Sequence, residues 1–299
     1  MKTARRRITN SLAILCLIAI PGAFQAAYSQ STSIKVFIKV STAKKSAWDI
    51  FIKDYRTGKA TKFITVTDVY QGHYHPAEYH NGHVYVIRRR GDVHGPTWTD
   101  ELWRYDRNGL GTKLWSSKGL DFRVRDDEGM IAALSRSQQG ERRLTLYLLD
   151  GDGKLIKTSP AHQLVSTDMS FEKWDDRFLW LADQETVDIS GFVRIDSHSM
   201  AIKKYDLSQL GLSDEDYALN TTSLLLAYSD YPVMFDTDEA HDFEKRKTPV
   251  KLYIYDLSTR HRRLIARAIA EPFNPKWANP STLEYDNPRG KGRIQKRIR

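Results

Sequence analysis

Leu252-Tyr253-Ile254-Tyr255-Asp256 is an unbroken apolar and aromatic run that stops on an aspartate. The same form occurs four times upstream, as Ile50-Phe51-Ile52-Lys53-Asp54, Leu102-Trp103-Arg104-Tyr105-Asp106, Leu146-Tyr147-Leu148-Leu149-Asp150 and Phe192-Val193-Arg194-Ile195-Asp196. β-branched and aromatic residues suit a pleated, buried surface, so each run predicts a strand. An aspartate at a strand end accepts hydrogen bonds from the amides of the turn that follows, and a nearby glycine permits positive φ. Gly58, Gly109, Gly151 and Gly153 stand there after the first three copies. A returning strand follows, for example 62–66, 113–115 and 155–157, so each copy reads as a hairpin.

A second kind of hairpin lies between these. His80-Asn81-Gly82-His83 turns into 84–87, Asp126-Asp127-Glu128-Gly129 into 130–134, and Trp174-Asp175-Asp176-Arg177 into 178–182. Residues 220–223 lead into 224–228, and Trp277-Ala278-Asn279-Pro280 leads into 282–285. One hairpin of each kind makes a module of four antiparallel strands. The repeated aspartates lie 52, 44, 46 and 60 residues apart, the range of propeller blades. Runs such as 144–149 and 252–255 are apolar at consecutive positions, which demands cover on both faces of a sheet. Sheets stacked face to face around an axis meet that demand better than a β-sandwich does.

The expected fold class is therefore all-β, a β-propeller of four-stranded antiparallel blades over 30–288. Five hairpins of each kind give five blades, with 276–286 pairing with 48–66 to close the ring and remove open edges. Strands 34–40 and 293–298 are then surplus, and building them into a sixth blade is the alternative. Helical periodicity is essentially absent beyond the N-terminal segment, apart from a turn near 207–212.

The Asp-terminated strand followed by an aromatic, polar-turn, apolar unit resembles the PD40 or WD40-like repeats of TolB-type β-propellers. His75-Pro76-Ala77-Glu78-Tyr79-His80-Asn81-Gly82-His83-Val84-Tyr85-Val86 is among the closest local matches, with Asn-Gly in place of the usual Asp-Gly. The resemblance covers nearly all of 31–286 and implies an architecture more than an activity. TolB itself carries a separate N-terminal α/β domain that is not expected here, so its partner set does not carry over. Nor is the hydrolase domain expected that follows such propellers in prolyl-oligopeptidase-like enzymes.

The 299 residues carry a net charge of +9, but the excess sits at the two ends. Segment 1–29 holds Lys2, Arg5, Arg6 and Arg7 without an acid, and 289–299 holds Arg289, Lys291, Arg293, Lys296, Arg297 and Arg299 without one. Between them acids and bases balance to within one charge, which argues against a nucleic-acid partner. Residues 289–299 read as a basic C-terminal tail suited to an anionic membrane or polysaccharide. Residues 1–29 read as a signal peptide, with basic residues, an apolar run over 12–24, then Ala27-Tyr28-Ser29 at the cleavage site. The mature protein is expected to be periplasmic or secreted. Cys16 is the one cysteine and lies within that signal, which excludes a disulfide framework, a thiolate-bound zinc and a thiol nucleophile from the mature chain.

No Gly-x-Ser-x-Gly elbow and no Gly-rich phosphate loop occurs. Asp150-Gly151-Asp152-Gly153 lacks the later ligands of a calcium loop and reads as a hairpin turn. Five of nine histidines fall between 73 and 94: His73, His75, His80, His83 and His94. His73 and His75 share a face if extended, so His73, His75 and His80 are the candidate ligands of a divalent transition metal, with Glu78 as a candidate base. The alternative is that they are polar loop residues at one mouth of the propeller and that no cofactor is used. Asp236, Asp238 and Glu239, with His241, Asp242 and Glu244, mark the longest interval as a candidate functional loop. The first functional expectation is an exported module binding a protein or extracellular ligand at one mouth. The second is an exported glycoside hydrolase or lyase, with acids about 5–9.5 Å apart across the central channel.

N-terminal sequencing of the exported protein should begin close to Gln30. Recovery of intact Met1 on a membrane-bound product contradicts the signal-peptide reading.

Overall fold

A computed structural model of the chain describes residues 34–42, 47–69, 77–91, 98–125, 129–136, 143–160, 163–164, 166, 168–185, 188–213, 216–232 and 237–298. The expected signal peptide 1–29 lies outside them. The described residues form six antiparallel sheets. The first contains β1 (Ile34–Val40), β2 (Ala47–Asp54) and β3 (Ala60–Thr67). The second contains β4 (Ala77–His80), β5 (His83–Arg90), β6 (Thr99–Tyr105) and β7 (Gly111–Ser117), and the third β8 (Asp121–Val124), β9 (Ile131–Arg136), β10 (Leu144–Leu149) and β11 (Leu155–Thr158). The fourth contains β12 (Asp168–Asp175), β13 (Phe178–Glu185), β14 (Asp188–Asp196) and β15 (Ile202–Asp206), with β16 (Leu212–Ser213) added beside β14. In the fifth are β17 (Tyr217–Asn220), β18 (Leu225–Ser229), β19 (Pro249–Asp256) and β20 (Arg262–Ile269), and in the last β21 (Lys276–Asn279), β22 (Thr282–Asp286) and β23 (Arg293–Arg297).

The repeated aspartates act as the sequence implies. Asp106 Oδ1 accepts from the amides of Asn108 (2.9 Å) and Leu110 (2.8 Å). Asp150 Oδ1 accepts from Asp152 (3.0 Å) and Lys154 (2.8 Å). Asp54, Asp196 and Asp256 hold the amides of Arg56, His198 and Ser258 in the same way. Asp150-Gly151-Asp152-Gly153 is thus a hairpin turn. Gly153 has φ +82°, and a Cβ there would lie 2.4 Å from the Leu114 carbonyl oxygen, because this turn presses on β7 of the preceding sheet. At the other kind of hairpin, Asn81 (φ 48°) and Gly82 (φ 83°) form the left-handed two-residue turn between β4 and β5.

Strand alternation sorts the apolar side chains between neighbouring sheets. On β5, Val84 and Val86 pack toward the first sheet, whereas Tyr85 and Ile87 pack toward the third. On β13, Leu179 and Leu181 face the third sheet, while Trp180 and Ala182 face the fifth. Five apolar cores result, each shared by two consecutive sheets. The end sheets differ. In the last sheet β22 alternates apolar with polar, as in Leu283-Glu284-Tyr285, while the first sheet keeps the consecutive apolar runs Val36-Phe37-Ile38 and Ile50-Phe51-Ile52; among the described residues no apolar core joins the first sheet to the last.

Three expectations change here. Hairpin 276–286 does not pair with 48–66: β22 takes β23 as its third strand, and β2 takes β1. Both strands reckoned surplus to five blades are built into sheets, one at each end of the series. Residues 293–297 of the expected basic tail are consequently part of the last sheet, and Ile298 is buried in its core. Residues 237–245 of the long interval form a helix, α1 (Thr237–Lys245), with Asp238 and Glu239 in the first turn and Lys245 in the last, a distribution that suits the helix dipole. Asp236 lies outside the described residues.

A chain ending at Gly292 should lose β23 and the packing of Ile294 and Ile298 against the fifth sheet. At about 1.5–3 kcal/mol for a fully buried aliphatic side chain, with Ile298 buried and Ile294 partly so, urea unfolding should report a loss of about 2–4 kcal/mol. An unchanged midpoint means that β23 is not part of the fold.

Candidate functional site

The first strand of each of the second to fifth sheets carries polar groups in a setting that is otherwise apolar. On β4, Glu78 and His80 lie two residues apart and therefore on one face. Glu78 Oε2 is 3.0 Å from His80 Nε2 and accepts from the Val124 amide at 2.9 Å. Its Oε1 is 2.8 Å from Arg123 Nη1 of β8. Arg123 Nη2 reaches on to the Phe171 carbonyl of β12 at 3.3 Å. From β12, Glu172 Oε2 accepts from the Tyr217 hydroxyl of β17 at 2.7 Å. From β17, Ala218 O accepts from Trp277 Nε1 of β21 at 3.0 Å, and Asn220 Nδ2 donates to Pro280 O at 3.0 Å. Each first strand is thereby tied to the next.

Burial and pairing drive the three acids apart. Burial pushes the Glu78 carboxyl up, but the Arg123 guanidinium, His80 and the Val124 amide together outweigh it and hold Glu78 below the usual range. Asp121, on β8, accepts from the Phe122 amide at 2.8 Å. Burial dominates there, opposed by that amide and Arg123 and reinforced by Glu78, and the carboxyl rises to about 7. Glu172 is also raised by burial, against the Tyr217 hydrogen bond. An ionised carboxylate and a protonatable acid on neighbouring strands are a chemically competent pair. Yet Glu78, His80, Asp121 and Arg123 are at most 6% exposed.

Of the sequence candidates, the structure brings His80 and Glu78 together in this buried network. His73 and His75 lie outside the described residues, as does His94. His83 Nδ1 lies 3.1 Å from the Asn81 carbonyl oxygen in the β4–β5 turn. Among the described residues no group of three or more His, Cys, Asp or Glu side chains could hold a metal ion. Of the paired aspartates in the polar turns, Asp126-Asp127 falls outside the described residues, and Asp175 pairs with Lys173 at 2.7 Å. Asp121, Arg123, Glu172 and Tyr217 were not singled out from sequence. The available signal was charge inside short apolar stretches, Asp121-Phe122-Arg123-Val124 and Phe171-Glu172-Lys173-Trp174. Away from the network, an open cavity of about 410 Å³ lies at the last sheet, lined by Glu271, Asn274, Asp286, Asn287 and Arg293 among others.

No family model matches the chain, and no curated protein does. Solved structures do. An oligogalacturonate lyase in complex with manganese aligns with a TM-score of 0.51 at 13% identity, over 84% of this chain and 73% of that one. The oligogalacturonate lyase of Vibrio parahaemolyticus aligns with 0.50 at 11%, over 87% and 75%. TolB of Acinetobacter baumannii aligns with 0.48 at 12%, over 82% of this chain, which spans about half (54%) of that chain's length. Identities this low bear on the fold alone, an all-β fold of the β-propeller kind.

Asp121 gives this network a definite pH dependence. Its folded-state value of about 7 exceeds the ordinary 3.8, so between those values the folded protein holds a proton that the unfolded chain has lost. Stability from this group therefore falls as pH rises through that window and is level above it. Glu78 has the opposite sign: its contribution is present above the ordinary carboxylate range and is lost as pH falls through its lowered value. Asp121→Asn should gain on the wild type by up to about 4 kcal/mol between pH 4 and pH 7 in urea unfolding. An equal difference at both pH values means that Asp121 is not protonated in the fold.

Proposed function

We propose that the protein is an exported TolB-like propeller, periplasmic or secreted, whose six sheets serve as blades and whose activity is to bind a protein or extracellular ligand at one mouth. The observation that carries this reading is that Glu78 and Glu172, on the first strands of their sheets, are already engaged. Glu78 is bonded to Arg123, His80 and the Val124 amide, and Glu172 to Tyr217. General acid–base catalysis needs a group within reach of a substrate proton, and carboxylates that tie buried strands together are not so placed. Loops on a rigid ring of sheets suit recognition instead. A nucleic-acid partner is not part of the proposal, because the charge excess lies at the chain ends.

The second reading is an exported glycoside hydrolase or lyase, with His73, His75 and His80 holding a divalent transition metal. The split between ionised Glu78 and raised Asp121 favours it. With Nε2 bonded to Glu78, His80 could ligate only through Nδ1.

Purified, tag-free protein separates the two readings. Incubated with oligogalacturonate and a panel of other oligosaccharides, with and without manganese, it should form no new reducing or unsaturated ends. It should also hold less than about one equivalent of transition metal, as expected without a preorganised three-ligand site. Turnover, or stoichiometric metal that is lost in a His73→Ala, His75→Ala double variant, replaces the binding reading with the enzyme.

A further inference from the structure

The first sheet is one strand short at its leading edge. In the second to fifth sheets the aspartate-terminated strand, β6, β10, β14 or β19, has two strands before it and another after it along the sheet. In the first sheet β2 has β3 after it but only β1 before it. β1 is therefore the counterpart of β5, and no described strand takes the place that β4 holds beside β5. Bonds between sheets agree with this alignment. Arg89 of β5 donates its amide to Asp68 O beyond β3 at 2.8 Å, as Arg136 of β9 does to Lys118 O beyond β7 at 3.1 Å.

The edge left open is built to pair. Val40 stands opposite Trp48, and one step on the Ser41 amide donates to Ala47 O at 2.9 Å. Bonded and non-bonded pairs alternate in an antiparallel ladder. Lys35, Phe37 and Lys39 therefore bond β2, while the amides and carbonyls of Val36, Ile38 and Val40 point outward along the free edge. β1 carries no proline and no register shift, so this edge is a template for another strand.

The two faces beside the edge define what an added strand must carry. Val36 and Ile38 pack into the core shared with the second sheet, as do Ala77 and Tyr79 of β4, so residues on that side have to be apolar. On the other face Phe37 stacks on Phe51 at 5.1 Å, and Lys39 Nζ lies 5.4 Å from the Phe37 ring centroid. Lys35 and Lys53 lie over the Tyr55 ring at 5.6 and 4.9 Å. Asp49 on this face is bonded to Lys62 at 2.7 Å, and Lys35, Lys39 and Lys53 have no carboxylate partner among the described residues. Lys35 and Lys39 would meet an added strand in non-hydrogen-bonded pairs, where side chains approach most closely. We infer that the free edge of β1 takes an extended segment of a partner protein, with acidic residues on one face alternating with apolar residues on the other. A second copy of β1 is the wrong occupant, because antiparallel pairing would gather Lys35 and Lys39 of both copies on one face. The edge is separate from the mouth proposed above, and the inference does not rest on that reading.

The test is fluorescence-anisotropy titration of the purified mature protein with a labelled peptide that alternates glutamate with valine. The comparison arms are its lysine–valine counterpart and the glutamate peptide N-methylated at its valines, which then cannot donate to the edge. The glutamate peptide should bind and protect the amides of Val36, Ile38 and Val40 from hydrogen exchange, and neither comparison peptide should bind. Val40 is 65% exposed, and Val40→Pro removes an outward donor without a bond to β2. It should weaken the glutamate peptide by about fivefold. Lys35→Glu with Lys39→Glu should weaken it by about tenfold and bind the lysine peptide instead, a reversal that misfolding does not produce. Lys203→Glu with Lys204→Glu, on β15, should change nothing. The inference is overturned by absence of binding, by binding that survives N-methylation, by equal loss in the β15 control, or by a charge-swapped variant that takes neither peptide. Protection of the same amides in the free protein also overturns it, because the edge is then filled by a second copy or by the chain itself.

Discussion

An apolar sheet face has to be covered, and nearly everything else in this molecule follows from how that is done. Burying apolar surface contributes about 25 cal/mol for each Å² removed from water, and a strand apolar on both sides needs a neighbour on both sides. Here each neighbour is the next sheet along the chain. The cores are therefore local to consecutive modules: Ile50 with Val84, Ile87 with Phe122, Leu146 with Phe171, Phe192 with Tyr228, and Leu252 with Leu283. Turns such as that of Gly153 lie flush against the preceding sheet because the spacing between sheets is set by these side chains.

The buried polar groups work against the same constraint. Removing a carboxylate from water is costly unless it is paired and hydrogen-bonded. Glu78 meets that condition through Arg123, His80 and the Val124 amide. Asp216 meets it by a different route: it is 1% exposed and accepts from the amides of Phe273 (2.9 Å) and Asn274 (2.6 Å) at the entry to the last sheet. Asp100 does the same for the third sheet, accepting from the Leu120 amide at 3.1 Å while paired with Arg89. These acids fix the register between sheets, which apolar contacts alone leave free to slide. Asp121 has weaker partners, and its carboxyl rises to about 7. The network thus contains both a group held ionised and a group poised to titrate.

The modules were legible in the sequence because an aspartate at a strand end performs a local task. The Asp106 carboxylate and the amides it caps are at most four residues apart, so no distant contact is needed to read the turn. The closing of the series was not legible. Whether β22 pairs with β2 or with β23 depends on long-range geometry, and each partner offers an equally plausible strand. The run Arg293-Ile294-Gln295-Lys296-Arg297 reads as a tail by charge, while its single interior apolar residue, Ile294, is what marks it as one face of a strand. Likewise His80 reads as a ligand from its spacing to His73 and His75. Its burial against Glu78 depends on Arg123, which is more than forty residues away and invisible to a local pattern.

Alternation marks the boundary of the series at its last sheet. The inner strands, such as Leu146-Tyr147-Leu148-Leu149, are apolar at consecutive positions because a sheet lies on either side. Thr282-Leu283-Glu284-Tyr285 alternates, as a strand with one wet face does, whereas the first sheet keeps Val36-Phe37-Ile38 and Ile50-Phe51-Ile52. Among the described residues the apolar packing between sheets lies in the five cores that consecutive sheets share. The cations of the end sheets, such as Lys35, Lys53, Arg293 and Arg297, are held by neighbouring strands in a fixed register rather than by a loose tail.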